Sequence, residues 1–168
     1  MPPRDETEFL AAVASMRPHA RRVVDPLAGR TRVRILERTS CGGRASCALG
    51  TIVEQGDERT SSFEVELLRA TMDGSLGARF LTVHELAHLV EYDLFDASDR
   101  TAIERTFRRS PRWRACFLHQ GSCLEFSEVF ADQFAMYALR EPRSMTTYAV
   151  PRLLTDAAFE ALLVRHAA

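Results

Sequence analysis

Between Phe80 and Val90 the chain sets two histidines and a glutamate, His84-Glu85-Leu86-Ala87-His88, into a nearly unbroken apolar run of Phe80, Leu81, Val83, Leu86, Ala87, Leu89 and Val90. Apolar side chains on almost every side of such a segment predict a buried helix. Residues four apart on a helix project about 40° from each other, one turn apart, so His84 and His88 can present two imidazole nitrogens to one point. Glu85 lies about 100° further round from His84, near that point but off the line of the two rings. Buried ionisable groups need partners. One Zn²⁺ held by His84 and His88 supplies one, with Glu85 placed as general base for a zinc-bound water. The alternative is a coincidental spacing in an ordinary core helix.

A third ligand must come from elsewhere. A second helical segment, Glu125-Phe126-Ser127-Glu128-Val129-Phe130-Ala131-Asp132, carries acids at Glu128 and Asp132, four residues apart. From about 100° per residue, Asp132 sits at +40° from Glu128, Leu139 at +20°, Ala135 at −20° and Ala131 at −60°. Two like charges on a stripe of Ala and Leu repel, and burying them unpaired costs several kcal/mol. A cation and a hydrogen-bonded His remove both penalties, and the small Ala side chains allow close approach of another helix. A wet helix face is the plain alternative. Glu91 shares the stripe of His84 and His88 and competes as an outer hydrogen-bond partner, although as a ligand it would crowd the same turn. Glu125 points about 60° from Glu128 and has no acid four residues on.

Around these two segments the pattern is α+β. Asp5–Met16 reads as an amphipathic helix capped by Asp5 and stopped or bent at Pro18. Strand-like runs follow at Thr31–Glu37, Ala48–Glu54 and Ser62–Arg69, separated by Cys41-Gly42-Gly43 and by Gln55-Gly56-Asp57, which predicts a small meandering sheet. Beyond the turn at Asp73-Gly74-Ser75 the chain reads as helical, over Gly77–Tyr92, Asp99–Arg109, Leu124–Leu139 and Thr155–Val164. A sheet-bearing first half and a helical second half, in 168 residues, suggest one α+β domain.

Composition excludes more than it selects. A formal net charge of −1 offers no global field for nucleic acid or an anionic membrane, and every one of the 22 basic side chains is Arg. Arg108, Arg109, Arg112 and Arg114 form a local run that a solvated loop or helix end explains. No segment reaches the roughly 18 consecutive apolar residues of a membrane span. The opening Met1-Pro2-Pro3-Arg4-Asp5-Glu6 lacks the layout of a secretory signal, so the expectation is a cytoplasmic protein, with leaderless export as the alternative. Cys41 with Cys47 and Cys116 with Cys123 form two close pairs, compatible with local disulfides or with free thiols; a four-cysteine zinc site would have unusually long spacers.

The segments His84-Glu85-Leu86-Ala87-His88 and Glu128-Val129-Phe130-Ala131-Asp132-Gln133-Phe134-Ala135 together resemble the gluzincin metallopeptidases. The nearer likeness is to compact members related to the anthrax lethal-factor catalytic domain and the Pro-Pro endopeptidases, which also carry a later Thr-Tyr segment, here Thr147-Tyr148. The likeness covers about Leu76 to Val150. It implies a minimal zincin-like fold, one Zn²⁺ held by His84, His88 and Glu128, Asp132 bonded to a ligand His, and peptide or protein as substrate. Those relatives place a catalytic Tyr about seven residues before the ligand Glu, where this chain has Gly121. His119 and Tyr148, with Tyr137 and Tyr92 behind them, are the alternative donors to the oxyanion or substrate. His19 and His166 read as structural.

The expected activity is a zinc-dependent endopeptidase in which Glu85 activates a zinc-bound water, with Ser62–Arg69 as the sheet edge that pairs with the substrate. A narrow-specificity toxin or regulatory protease shares that chemistry, and a non-catalytic zinc-bearing module is the rival of a different class.

Overall fold

The computed structural model describes residues 3–41, 46–55, 58–113, 125–146 and 150–166. They form an α+β fold of six helices and one three-stranded sheet in the first half. Helix α1 spans Pro3–Ser15, so Asp5 lies inside it and does not cap it. Pro18 opens a second helix, α2 (Pro18–Val24), which sequence periodicity missed because it is only seven residues long. Proline suits the first turn of a helix, where its missing N–H has no partner to lose.

Strands β1 (Thr31–Leu36), β2 (Ser46–Gln55) and β3 (Glu58–Leu68) follow, in the spatial order β1-β3-β2. β3 is antiparallel to β2 and parallel to β1. The expected meander is therefore wrong, and so is the expectation that Ser62–Arg69 is an edge. β3 is central, and β1 and β2 are the edges. Alternation reveals which face of a strand is buried but carries no information on strand order. On the core face Phe63, Val65 and Leu67 are buried, with Ser46 opposite Leu67 and Ala48 opposite Val65.

The other face holds a polar knot. Buried Glu66 lies opposite Cys47 and Arg34 in the register, and Cys47 is disulfide-bonded to Cys41. The Ser40 amide and hydroxyl, at 2.6 and 2.8 Å, hold the Glu66 carboxyl below the usual carboxylate range. The disulfide removes these two sulfurs from any four-cysteine zinc site. Cys116 and Cys123 lie outside the described residues.

Helix α3 (Leu76–Leu94) starts where Ser75 accepts a hydrogen bond from the Ala78 amide, after Gly74 turns the chain at φ +76°. Such a positive φ is where glycine is favoured. α3 packs on β2 and β3 on one side and on α5 (Phe126–Leu139) on the other, the most extensive helix–helix contact among the described residues. Helix α4 (Ala97–Arg108) and the final helix α6 (Asp156–His166) close the core.

Every residue of α5 from Val129 to Ala138 is buried, so polarity does not orient it. Size does. Phe130 and Phe134 pack against Phe95 and Phe159 with ring centroids 5.2 to 6.4 Å apart. The opposite stripe, with Ala131, Ala135 and the two acids, is left to meet α3. Among the described residues, no helix is long and apolar enough to cross a membrane.

Candidate metal centre

The apolar run around His84 buries α3 as expected: His84 is 3% and Glu85 4% exposed. On the neighbouring helix Asp132 is fully buried, so the acidic pair does not sit on a wet face. Close packing of α3 on α5 brings three donor atoms together. His84 Nε2 lies 3.2 Å from His88 Nε2 and 3.2 Å from Glu128 Oε2, and His88 Nε2 lies 3.8 Å from the same oxygen. Ligands about 2.0–2.1 Å from a tetrahedral zinc stand about 3.3 Å from one another. The donor set therefore fits such an ion, with the His88–Glu128 edge about half an ångström wide of the ideal.

Each histidine is held from behind through Nδ1. His84 Nδ1 donates to Asp132 Oδ1 at 2.9 Å, and Asp132 also accepts from Ser144 Oγ at 2.7 Å and Thr146 Oγ1 at 2.9 Å. His88 Nδ1 donates to Ser127 Oγ at 2.9 Å, and Ser127 passes its own proton toward Glu91 Oε2 at 2.6 Å. Arg100 neutralises Glu91, with Nε 2.8 Å from the carboxylate. These acceptors fix both rings with the proton on Nδ1 and aim both Nε2 lone pairs at the shared point. Glu91, weighed from the sequence as an outer hydrogen-bond partner, lies one hydroxyl away from His88.

The surroundings of His84 favour its protonated imidazole. Burial pulls its imidazole down, but hydrogen bonds to Asp132 and Glu128 and the charges of Asp132 and Glu85 outweigh that and push it up to about 10. A cation bound between the donors takes the place of that proton. Glu128 stands in the first turn of α5, where unpaired backbone N–H groups favour an anion. His88 and Glu128, 17% and 12% exposed, give the site its open side.

Glu85 is the remaining acid. A carboxylate oxygen of Glu85 and a ring nitrogen of each histidine lie within 4.8 Å of one another. Ser46, the first residue of β2, faces α3 and donates to Glu85 Oε1 at 2.6 Å. This contact couples the sheet edge to the site, and nothing in the local sequence signals it. Replacing Ser46 with Ala is expected to leave the affinity for a divalent metal unchanged and to cost about 1.5–3 kcal/mol of stability, because a charged acceptor loses a hydrogen bond. Metal titration alongside thermal unfolding checks both halves.

The other candidates separate cleanly. His119, Tyr148 and Gly121 lie outside the described residues. Glu125 precedes α5 and is exposed. Tyr137 donates to Glu160 at 2.8 Å from the side of α5 opposite Glu128, and Tyr92 packs edge-on against Phe63. His19 contacts Arg22 and Glu160. Residues that sequence reasoning missed are Ser46, Arg100, Ser127, Ser144 and Thr146; serines and threonines carry no spacing signature that points to a distant His or Glu. No protein-family model, curated protein or solved structure matches the chain.

Proposed function

We propose that this chain is a zinc-dependent peptidase of the gluzincin type, with His84, His88 and Glu128 as the residues that hold the metal. The observation that carries this reading is the convergence of His84 Nε2, His88 Nε2 and Glu128 Oε2 within 3.2–3.8 Å, with the Glu85 carboxylate beside them. Zinc bound there supplies a Lewis acid that acidifies water and polarises a carbonyl. Glu85 takes the proton of the attacking water and delivers it to the leaving amine. Ser46, itself buried, holds that carboxylate in one orientation.

Asp132 fixes the ring plane and tautomer of His84, and the Ser127–Glu91 pair does the same for His88. The sheet edge nearest the site is β2, whose first residue touches Glu85. An extended peptide added to β2 would run beside the base, so β2 takes the role that sequence assigned to Ser62–Arg69.

The test is metal removal. Purified chain carrying one zinc is expected to cut members of a randomised peptide pool, to stop after chelation, and to resume when zinc alone is restored. New N-termini read by mass spectrometry report the cuts. A folded, zinc-loaded chain that cuts nothing would favour a binding module over an enzyme.

A further inference from the structure

A cavity of about 690 Å³ opens beside the loop that follows α5, and its lining includes Arg112, Arg143, Arg152, Ser144 and Thr146 and, among the described residues, no carboxylate. Arg152 is already engaged, with Asp156 and with the Met136 carbonyl. Among the described residues the Arg112 side chain reaches the Arg152 carbonyl, at 3.3 Å, and Arg143 is exposed with no ion pair. Two cations therefore face one concave space, and among the described residues no carboxylate pairs with either. That arrangement attracts an anion. The basic run that looked like a solvated helix end contributes Arg112 to this wall.

The cavity lies behind the candidate metal centre, on the Asp132 side of His84. Ser144 and Thr146, which line it, are the hydroxyls that donate to Asp132, and Asp132 holds His84. Its volume exceeds what an inorganic anion fills, and Met145 and Val150 add apolar wall that suits methylene groups.

We infer that this cavity receives an acidic side chain of the peptide substrate, held by Arg112 and Arg143, so that the chain selects segments containing Glu or Asp. The inference rests on the peptidase reading above and names its substrate class. A free anion such as phosphate shares the chemistry, so the experiment separates the two sources.

Full-length Glu85→Gln, loaded with zinc, is titrated by fluorescence anisotropy with two hexapeptide pools. One position is fixed as Glu in the first pool and as Gln in the second, and the other positions are neutral. The Glu pool is expected to bind about tenfold more tightly at low salt, the size of a hydrogen-bonded charge contact. Adding Arg112→Gln and Arg143→Gln should bring the pools within about twofold. Arg143→Lys alone, which keeps the charge, should retain most of the preference. Zinc content and thermal midpoint are followed in each variant, and Arg143→Gln alone, at an exposed position, serves if the double change unfolds.

Equal binding of the two pools overturns the inference, and so does a preference that survives loss of both arginines. Inorganic phosphate that raises the thermal midpoint through these arginines, while the pools bind alike, assigns the cavity to a free anion and overturns it too. Cleavage by the wild type without acidic preference removes this inference alone. Acidic preference without any cleavage removes the peptidase reading alone.

Discussion

Glu85→Gln is expected to keep zinc and lose turnover, with kcat down by about 10²–10⁴-fold, the usual contribution of a positioned general base. The substitution changes charge and basicity but not shape. Gln retains an oxygen that can accept from Ser46, now 2.6 Å from Glu85 Oε1, so the start of β2 stays attached to α3. His84, His88 and Glu128 are not altered, and zinc stoichiometry should match the wild type. Comparing stoichiometry with turnover on the same preparation separates chemistry from folding. Wild-type turnover in the Gln variant would remove Glu85 from the mechanism.

Glu128→Ala should weaken zinc binding by more than about 100-fold, beyond the 10–100-fold expected for a partner that only orients a ligand. Two effects act together. The site loses its anionic donor, and His84 loses one of the two carboxylates that its Nε2 and Nδ1 contact. A competition titration against a coloured chelator gives the affinity. Unchanged affinity would leave Glu128 outside the metal site and shift attention to Glu85, the other carboxylate beside the histidines. Glu91 is a poorer substitute, because Ser127 and Arg100 already engage its carboxylate.

Both predictions rest on residues legible in the sequence, and the reason is local geometry. His84, Glu85 and His88 span barely more than one helical turn, so their relative directions follow from the helical repeat once the apolar run declares a helix. Glu128 and Asp132 are legible for the same reason: a stripe of Ala and Leu has no place for two unpaired acids. The α+β layout was legible too, since periodicity changes from two to 3.6 after Gly74.

Sheet order was not. The three runs alternate equally well, and only packing puts β3 between the others, where Phe63, Val65 and Leu67 are covered by α3 and its neighbours. The turn at Cys41-Gly42-Gly43 suggested adjacent strands, yet the chain passes from one edge of the sheet to the other between Leu36 and Ser46. The disulfide between Cys41 and Cys47 shows the same division. Spacing permitted a bridge or two thiols, and placement of Cys47 on the outer face opposite Glu66 brings the sulfurs together.

By itself, then, the sequence determined the two halves of the site, one on each of two helices, because each half is set by contacts within a few residues. Tertiary structure decided how the halves meet. The phenylalanine face of α5 sets its rotation, and that rotation places Glu128 on the histidine pair, Asp132 behind His84 and Ser127 behind His88. It also decided that Glu91 acts through Ser127 and that Ser46 reaches Glu85 across 39 residues of chain. Such bonds join groups far apart in sequence, and no local repeat encodes the distance between two helices or the edge of a sheet.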